Sequence, residues 1–386
     1  MIAQGDAGAA AGTATRVAVI GMACRLPGGD SLDELWQTIE SGRSLVAPIP
    51  ATRLNRDLLY DPTPGRLAKT YVDIACLLDH WGPRPDSRLP EPFRNHPEPA
   101  FSTACDVALE AAAAAGFDPF DMPSRNGGVF VGHTRSSGLA GDLACFAEIE
   151  QVAELLRNLP AVATLPAAAG DRIVEGLVSE VRRRTRGRDA DGGPVLGAAS
   201  AARLPANLLG FDGPAIAFNA ACASSLQAVV HGVRAIETGR LEMALVGGVS
   251  YCHSDTLALF SQARSLSASG SRPWDAAADG LVVGEGVVML LLCSLEQAVA
   301  NRWPVRAVIR GCGLSSDGRG RSLWAPRREG QVTAMRRAHE WLDDGVPLQY
   351  LEAHATSTTL GDSTEVAAMT EALADRVPPG GRIPLG

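Results

Sequence analysis

A strand–helix–strand pattern in the second half of the sequence constrains the fold more than any other feature. Ala215–Phe218 and Met243–Val249 are short apolar runs, and a helical pattern of apolar residues lies between them over Cys222–Thr238. Short apolar runs that flank a helix are typical of a β-α-β unit, in which the strands are parallel and the crossover is right-handed. The chain is therefore predicted to be an α/β protein with a parallel sheet.

The same order recurs near the C-terminus. Val305–Gly311 and Leu348–Glu352 are predicted strands, and Glu329–Leu342 is a predicted helix between them. Residues 45–100 are rich in proline and are expected to wrap the surface irregularly. The remaining predicted elements are strands at Arg16–Gly21 and Gly128–Gly132, and helices that begin at Ser31 or cover Ala104–Ala115, Val152–Leu159 and Asp171–Arg184.

Composition and charge narrow the classes of function. The sequence has 386 residues, of which 46% are hydrophobic and 20% are charged, as in a folded globular protein. A formal net charge of −8 gives no electrostatic footprint for nucleic acid. The most apolar stretch, Leu281–Leu295, is interrupted by Gly284–Gly286 and is too short to cross a bilayer. Residues 1–15 lack the features of a secretory signal and are predicted to form a flexible tail, so we expect a cytoplasmic protein.

Cysteine usage directs attention to one position. None of the eight cysteines forms a C-x-x-C pair or a Cys/His cluster with metal-ligand spacing, so no metal site is predicted. Cys222 stands where a buried strand turns into a helix, and the free N–H groups and positive dipole of a helix start favour a thiolate. Its small neighbours Ala221 and Ala223 leave room for a substrate. The sequence thus predicts a nucleophile, with a buried structural cysteine as the alternative.

A histidine follows the last predicted strand. His354 lies just beyond Leu348–Glu352, at the strand end where open α/β sheets place ligands and catalytic groups. The hydroxyl-bearing residues 356–359 come next and could hold an amide-containing arm. An ordinary capped loop is the alternative interpretation of this segment.

Two further features have simple structural explanations. A helix is predicted to start at Gly361 and Asp362, and the pair Asp362 and Glu365 has the spacing of an N-terminal capping box. Gly280–Gly286 is rich in glycine but lacks the Lys and the spacing of a phosphate-binding loop. Close packing of the backbone is the preferred explanation of that segment.

Taken together, these residues resemble a known family. Several segments are similar to motifs of the β-ketoacyl synthase (ketosynthase) domains of polyketide and fatty-acid synthases, and the Ala-Ala-Cys-Ala-Ser-Ser variant is most similar to synthases of polyunsaturated fatty acids. The resemblance implies a thiolase-like α/β fold, layered α-β-α-β-α and built of two related halves. The segments that carry it are Val17–Pro27, Gly128–Gly132, Gly213–Ser225, Pro273–Asp275, Asp279–Gly286 and Glu352–Thr358.

The resemblance implies an acyltransferase mechanism of the 3-oxoacyl-[acyl-carrier-protein] synthase type. Cys222 would accept an acyl group as a thioester. His354 would stabilise the thioester oxygen of a malonyl-type extender as that extender loses CO2 and attacks the acyl group. Thr356 and Thr358 would contact the phosphopantetheine arm of the expected partner, an acyl carrier protein. The domain itself is expected to bind no cofactor, and the full-length enzymes of the family are homodimers.

The resemblance also implies how the chain is organised. Residues 16–299 would form the N-terminal ketosynthase half and residues 300–386 the start of the C-terminal half. In the latter, Asp362 and Glu365 would be the acidic pair that orders the site. The family places a Lys and a second His in a K-S-N-I-G-H segment that has no counterpart in this sequence. A C-terminal half that is truncated is therefore expected.

Departures from the family pattern leave other functions open. Asn219 and Ala220 stand where the family usually has Asp-Thr, and Ala355 stands where it usually has Gly. One alternative is a non-catalytic thiolase-fold partner with a scaffolding or chain-length role. The other is a Cys–His acyltransferase that uses Cys222 and His354 without condensation.

Overall fold

The computed structural model describes residues 16–96, 98–134, 138–185, 197–320, 325–340, 347–377 and 380–386, so the predicted tail 1–15 lies outside the described residues. The strands are β1 Val17–Arg25, β2 Ala47–Pro48, β3 Ile74–Ala75, β4 Gly127–Gly132, β5 Ala215–Phe218, β6 Met243–Ser250, β7 Gly286–Ser294 and β8 Ala307–Ile309. The helices are α1 Leu32–Ser41, α2 Arg56–Leu59, α3 Glu91–Arg94, α4 Pro99–Ala114, α5 Gly138–Asn158, α6 Pro160–Ala163, α7 Ala167–Thr185, α8 Ser200–Leu209, α9 Ser224–Glu237, α10 Ser254–Gln262, α11 Leu295–Ala300, α12 Arg328–His339 and α13 Thr359–Ala372, followed by a 3₁₀ turn at Ala374–Arg376.

Six strands form the main sheet in the order β5-β4-β6-β7-β1-β8. Strands β5 and β6 both run parallel to β4, which lies between them, so the predicted β-α-β unit is confirmed. Strand β7 was not predicted, and it pairs antiparallel with both β6 and β1. Its uniformly apolar sequence lacks the alternation that marks a half-buried strand, because both of its faces are covered.

Side chains of the main sheet alternate between two cores. In β1, Ala18 and Ile20 point into a core shared with α4 and α8, whereas Val17 and Val19 point into a second core shared with α9. All four are almost completely buried, as the period of two in a strand requires when helices cover both faces. The described sheet is therefore the middle of an α-β-α sandwich. Helix α9 lies directly behind the turn that joins β5 to α9 and carries Cys222, here called the cysteine turn.

Residues 45–100 wrap the sandwich as expected, with only short elements. The two-residue strands β2 and β3 pair with each other, and a third core forms beneath them from Ile49, Leu54, Val72 and other side chains. This core also takes in Cys252 and residues of α10, which follow β6. The segment consequently covers the carboxyl-end side of the sheet, where a ligand site is expected.

The C-terminal part differs from the prediction in two ways. Residues 348–352 do not form an extended strand; Leu351 makes a single parallel bridge with Leu385, supported by three backbone hydrogen bonds of 2.9–3.0 Å. Helix α13 starts at Thr359, so the prediction of a start at Gly361 and Asp362 is wrong by two or three residues. No helix in the described ranges is long and apolar enough to cross a membrane.

Candidate active site

The predicted nucleophile stands on a strained turn between β5 and α9. Ala221 adopts a left-handed backbone with φ of +49°, which costs an L-residue about 1–2 kcal/mol. Ser224, the first residue of α9, braces the turn from below. Its Oγ accepts a hydrogen bond from the Ala220 N–H (2.9 Å) and donates one to the Ala221 carbonyl (2.6 Å). The brace leaves the Cys222 side chain exposed at the tip of the turn.

Gly132, the last residue of β4, allows α9 to approach the sheet. A Cβ at this position would lie 2.3 Å from the backbone N of Ser225 and 2.5 Å from the carbonyl carbon of Ser224, distances that no side chain tolerates. The first turn of α9 therefore rests directly on the end of β4. This contact places Cys222 at the carboxyl ends of the parallel strands.

Cys222 differs from the other described cysteines. It alone is exposed among the seven free cysteines in the described part of the chain. Burial raises the thiol pKa of the others, for example to about 12 for Cys252 and about 11 for Cys293. A side-chain hydrogen bond with His354 lowers the pKa of Cys222, against a smaller opposing effect of burial. The prediction of a thiol that ionises easily agrees with this arrangement, although the histidine contributes more than the helix start.

The pKa of His354 is shifted in the opposite direction, upwards. The hydrogen bond with Cys222 raises the pKa of the imidazole; burial opposes this, while the charges of Cys222, Glu365 and Asp362 add to it. Both shifts move the pair towards thiolate and imidazolium. Cys222 and His354 lie 132 positions apart in the sequence. They meet because the turn after β5 and the loop before α13 lie at the same edge of the fold.

Glu365 holds the backbone of the histidine loop. Its two carboxylate oxygens accept hydrogen bonds from the N–H groups of His354 (2.7 Å) and Ala355 (3.0 Å). Ala355 adopts a left-handed backbone with φ of +48°, which explains why a glycine suits this position. Glu365 lies in the second turn of α13, so its carboxylate orders a neighbouring loop and does not cap its own helix.

Asp362 holds a different segment, which contains Trp274. It is buried within α13, and its Oδ2 accepts a hydrogen bond from the Trp274 N–H at 2.8 Å. The capping-box interpretation of Asp362 and Glu365 is therefore wrong, because α13 begins before both residues. Ser357 links the histidine loop to residues 272–280. Its Oγ accepts a hydrogen bond from the Arg272 N–H (2.8 Å), and its carbonyl accepts one from the Gly280 N–H (2.9 Å).

Thr356 and Thr358 lie in the histidine loop, and their hydroxyls are 3.1 Å apart. Both side chains are partly buried. The structure therefore places these two hydroxyls in the loop that carries His354, and neither residue lines the cavity described next.

A cavity of about 1070 Å³ opens beside Cys222. It lies under the wrapping segment 45–100 and along α10, and it has the size of a typical small-molecule site. Apolar side chains make up most of its surface, and a few polar groups interrupt them. Lining residues that bear on function are Cys222, His133, Tyr251, His253, Phe260 and Glu285.

The sequence did not single out several of these residues. His133 follows β4 and His253 follows β6, so the strand-end rule that identified His354 applies to both of them. Glu285 lies in Gly280–Gly286, where close backbone packing is confirmed: Cβ atoms at Gly280 and Gly286 would lie 2.5–2.7 Å from neighbouring atoms. The buried Glu285 carboxylate accepts five hydrogen bonds, a role that a glycine-rich pattern does not reveal.

Solved structures identify the class of fold. The chain resembles an oxazolomycin ketosynthase domain, OzmH KS7 of Streptomyces albus JA3453, with a TM-score of 0.73 and 26% identity over 96% of this chain and 58% of that chain. It also resembles a β-ketoacyl synthase from Burkholderia phymatum STM815, with a TM-score of 0.74 and 24% identity over 96% of this chain and 80% of that chain. The fold is therefore the thiolase-like fold predicted from the sequence.

Sequence comparison narrows the class to one family. Residues 14–298 match the N-terminal domain of β-ketoacyl synthase, and residues 306–385 match its C-terminal domain. The chain belongs to the β-ketoacyl synthase family, so the resemblance is confirmed.

Curated relatives are multidomain synthases. The chain is 32% identical to a mycocerosic acid synthase-like polyketide synthase of Mycobacterium tuberculosis over 92% of this chain and 15% of the relative. It is also 32% identical to the pikromycin polyketide synthase component PikAIII of Streptomyces venezuelae over 92% of this chain and 21% of the relative. The chain thus spans about a fifth or less of these relatives.

Proposed function

We propose that this chain is a ketosynthase that condenses an acyl group with a malonyl-type extender in polyketide or fatty-acid biosynthesis. The observation that carries the proposal is the position of His354 beside Cys222 at the turn between β5 and α9, where their interaction lowers the thiol pKa and raises the imidazole pKa. Membership of the β-ketoacyl synthase family supports the same activity.

The first step is transfer of the acyl group to the enzyme. The Cys222 thiolate attacks the carbonyl carbon of an acyl thioester, and a new C–S bond forms. The C–S bond to the incoming carrier then breaks, and the departing thiolate takes the proton that His354 held. A thiolate paired with an imidazolium suits this exchange, since the same histidine activates the nucleophile and protonates the leaving group.

The second step is condensation. A malonyl-type thioester loses CO2, and the electron pair of the broken C–C bond moves into the thioester enolate, whose oxygen His354 stabilises by hydrogen bonding. The enolate carbon attacks the acyl carbonyl on Cys222, and the C–S bond to Cys222 breaks. The product is a β-ketoacyl thioester, and the Cys222 thiolate is regenerated.

The thioesters are proposed to arrive on the phosphopantetheine arm of an acyl carrier protein. The paired hydroxyls of Thr356 and Thr358 lie in the same loop as His354, which supports a role in contacting the amides of that arm. Glu365 would act as a positioning residue, because its carboxylate holds the His354 loop through two backbone N–H groups. Asp362 would position the neighbouring segment through the Trp274 N–H. The domain would need no cofactor of its own.

We also propose that the protein forms a homodimer and is located in the cytoplasm. Strand β5 is at the edge of the main sheet, and its Ile216 side chain is 41% exposed, so a second copy could add to this edge. All seven described cysteines are free thiols, as in a reducing compartment.

Intact-mass spectrometry of the purified chain with an acyl-carrier-protein thioester tests the proposal. We expect one acyl adduct on the wild type and none on Cys222→Ala. The matched control is Cys76→Ala, which removes a half-buried cysteine from the same cavity and should keep the adduct. Addition of a malonyl thioester to the acylated protein should then release CO2 and remove the adduct. An adduct on Cys222→Ala would refute the nucleophile assignment, and an adduct that malonyl thioester leaves in place would indicate acyl transfer without condensation.

A further inference from the structure

We propose that Tyr251 is a specificity-determining residue whose phenol hydroxyl binds an oxygen substituent on the acyl chain carried by Cys222. This inference rests on the proposed acylation of Cys222. It concerns which acyl chains the site favours, a property that family membership leaves open.

Tyr251 is placed to meet the chain. It directly follows β6, whose carboxyl end lies beside that of β4, and it lines the same cavity as Cys222. An acyl chain attached to Cys222 that enters this cavity passes along a wall to which Tyr251 belongs. The nearby wall is largely apolar and includes Val249, Leu259 and Val283.

The Tyr251 ring is fixed from three sides. The Arg53 guanidinium carbon stands 4.4 Å from the ring centroid, and the rings of Trp81 and His253 have centroids 5.1 Å and 4.5 Å away. A cation over the ring face and tilted aromatic neighbours are both favourable contacts for a phenol. The ring therefore has little freedom to turn away from the cavity.

The cation that holds the ring is itself held firmly. Arg53 donates to both carboxylate oxygens of Glu285 (3.2 and 2.7 Å) and to the Cys252 carbonyl (3.2 Å). Glu285 also accepts from the indole N–H of Trp81 at 2.9 Å. The carboxylate thus fixes both the cation above Tyr251 and the indole beside it, so the wall is preorganised before a substrate arrives.

The chemistry of the phenol identifies the ligand group. Burial raises the pKa of Tyr251, so the hydroxyl keeps its proton at neutral pH and can both donate and accept a hydrogen bond. An oxygen on an acyl chain that entered an apolar wall without a partner would lose its hydration at a cost. Tyr251 supplies that partner, so the site should favour chains with a hydroxyl or keto oxygen over saturated chains.

The test compares acylation rates of Cys222 by N-acetylcysteamine thioesters of octanoic acid and of its 3-, 5- and 7-hydroxy derivatives. Rates are followed by intact mass. A neutral hydrogen bond contributes about 0.5–1.5 kcal/mol, so the rate ratio of the best hydroxylated thioester to octanoyl should fall about 2- to 12-fold in Tyr251→Phe. This variant keeps the ring and its contacts. Tyr60→Phe makes the same chemical change outside the cavity and should leave every ratio unchanged.

The outcomes separate this inference from the proposed function. If Tyr251→Phe acylates normally but keeps all three ratios within the scatter of Tyr60→Phe, the role of Tyr251 is refuted while acylation stands. If the wild type acylates faster with octanoyl than with every hydroxylated thioester, the preference itself is refuted. If no thioester acylates Cys222 in the wild type, the proposed function fails first.

Discussion

The hydroxyl of Ser224 is predicted to set the reactivity of a cysteine that it does not touch. In Ser224→Ala, the Ala220 N–H loses its acceptor and the Ala221 carbonyl loses its donor. Two buried or half-buried hydrogen bonds contribute about 1–3 kcal/mol together. The left-handed backbone at Ala221 costs about 1–2 kcal/mol. The two hydrogen bonds and the backbone strain at Ala221 are of the same order. Removal of the hydrogen bonds should therefore let the turn relax and move Cys222 away from His354.

The assay is the pH dependence of alkylation of Cys222 by iodoacetamide, read by peptide mass, together with denaturant unfolding. We expect the pH midpoint of alkylation to rise in Ser224→Ala, because the hydrogen bond with His354 is what lowers the thiol pKa. The free energy of unfolding should fall by about 1–2 kcal/mol, because the loss of the two hydrogen bonds outweighs the better helix propensity of alanine. Ser225→Ala, one residue on, is the control. An unchanged midpoint in Ser224→Ala would refute the coupling between the brace and the thiol.

Two other substitutions, His354→Ala and Ala355→Gly, test the loop that carries His354. In His354→Ala, the pH midpoint of Cys222 alkylation should rise further than in Ser224→Ala, since the largest cause of the lowered thiol pKa is removed outright; a midpoint equal to that of the wild type would contradict the pairing. In Ala355→Gly, the free energy of unfolding should increase by about 1 kcal/mol, because glycine adopts φ of +48° without strain. Denaturant unfolding measures this, and a destabilised variant would show that the backbone there is unstrained.

The sequence was most informative where local pattern and chain position coincide. The β-α-β unit at 215–249 places Cys222 at a helix start, and both the strands and the turn are as predicted. The same strand-end rule singled out His354, although residues 348–352 form a single bridge and not the predicted strand. The helix start at Thr359 was missed because a capping box at Asp362 fits the sequence equally well, and only packing against Trp274 decides what that carboxylate binds.

The residues that form the cavity wall could not be predicted from local sequence patterns. Glu285 contacts Arg53, 232 residues away in the sequence, and Leu78, 207 residues away. No local sequence pattern at these positions predicts the contacts. Strand β7 was missed for a related reason. Its apolar run fits a strand or a buried helix segment equally, and only the partners β1 and β6, which are distant in sequence, select the strand.

The position of β1 in the sheet bears on how the protein is made. Strand β1 is synthesised before β7 and β8, with which it pairs and which end almost 300 residues later. Until residues 286–309 emerge, the fully apolar side chains of Val17, Ala18 and Ile20 have no sheet to join. Synthesis at about 5–20 residues per second makes this wait roughly 15–60 seconds. During this interval β1 has no pairing partner, so the six-stranded sheet can close only after β7 has been made.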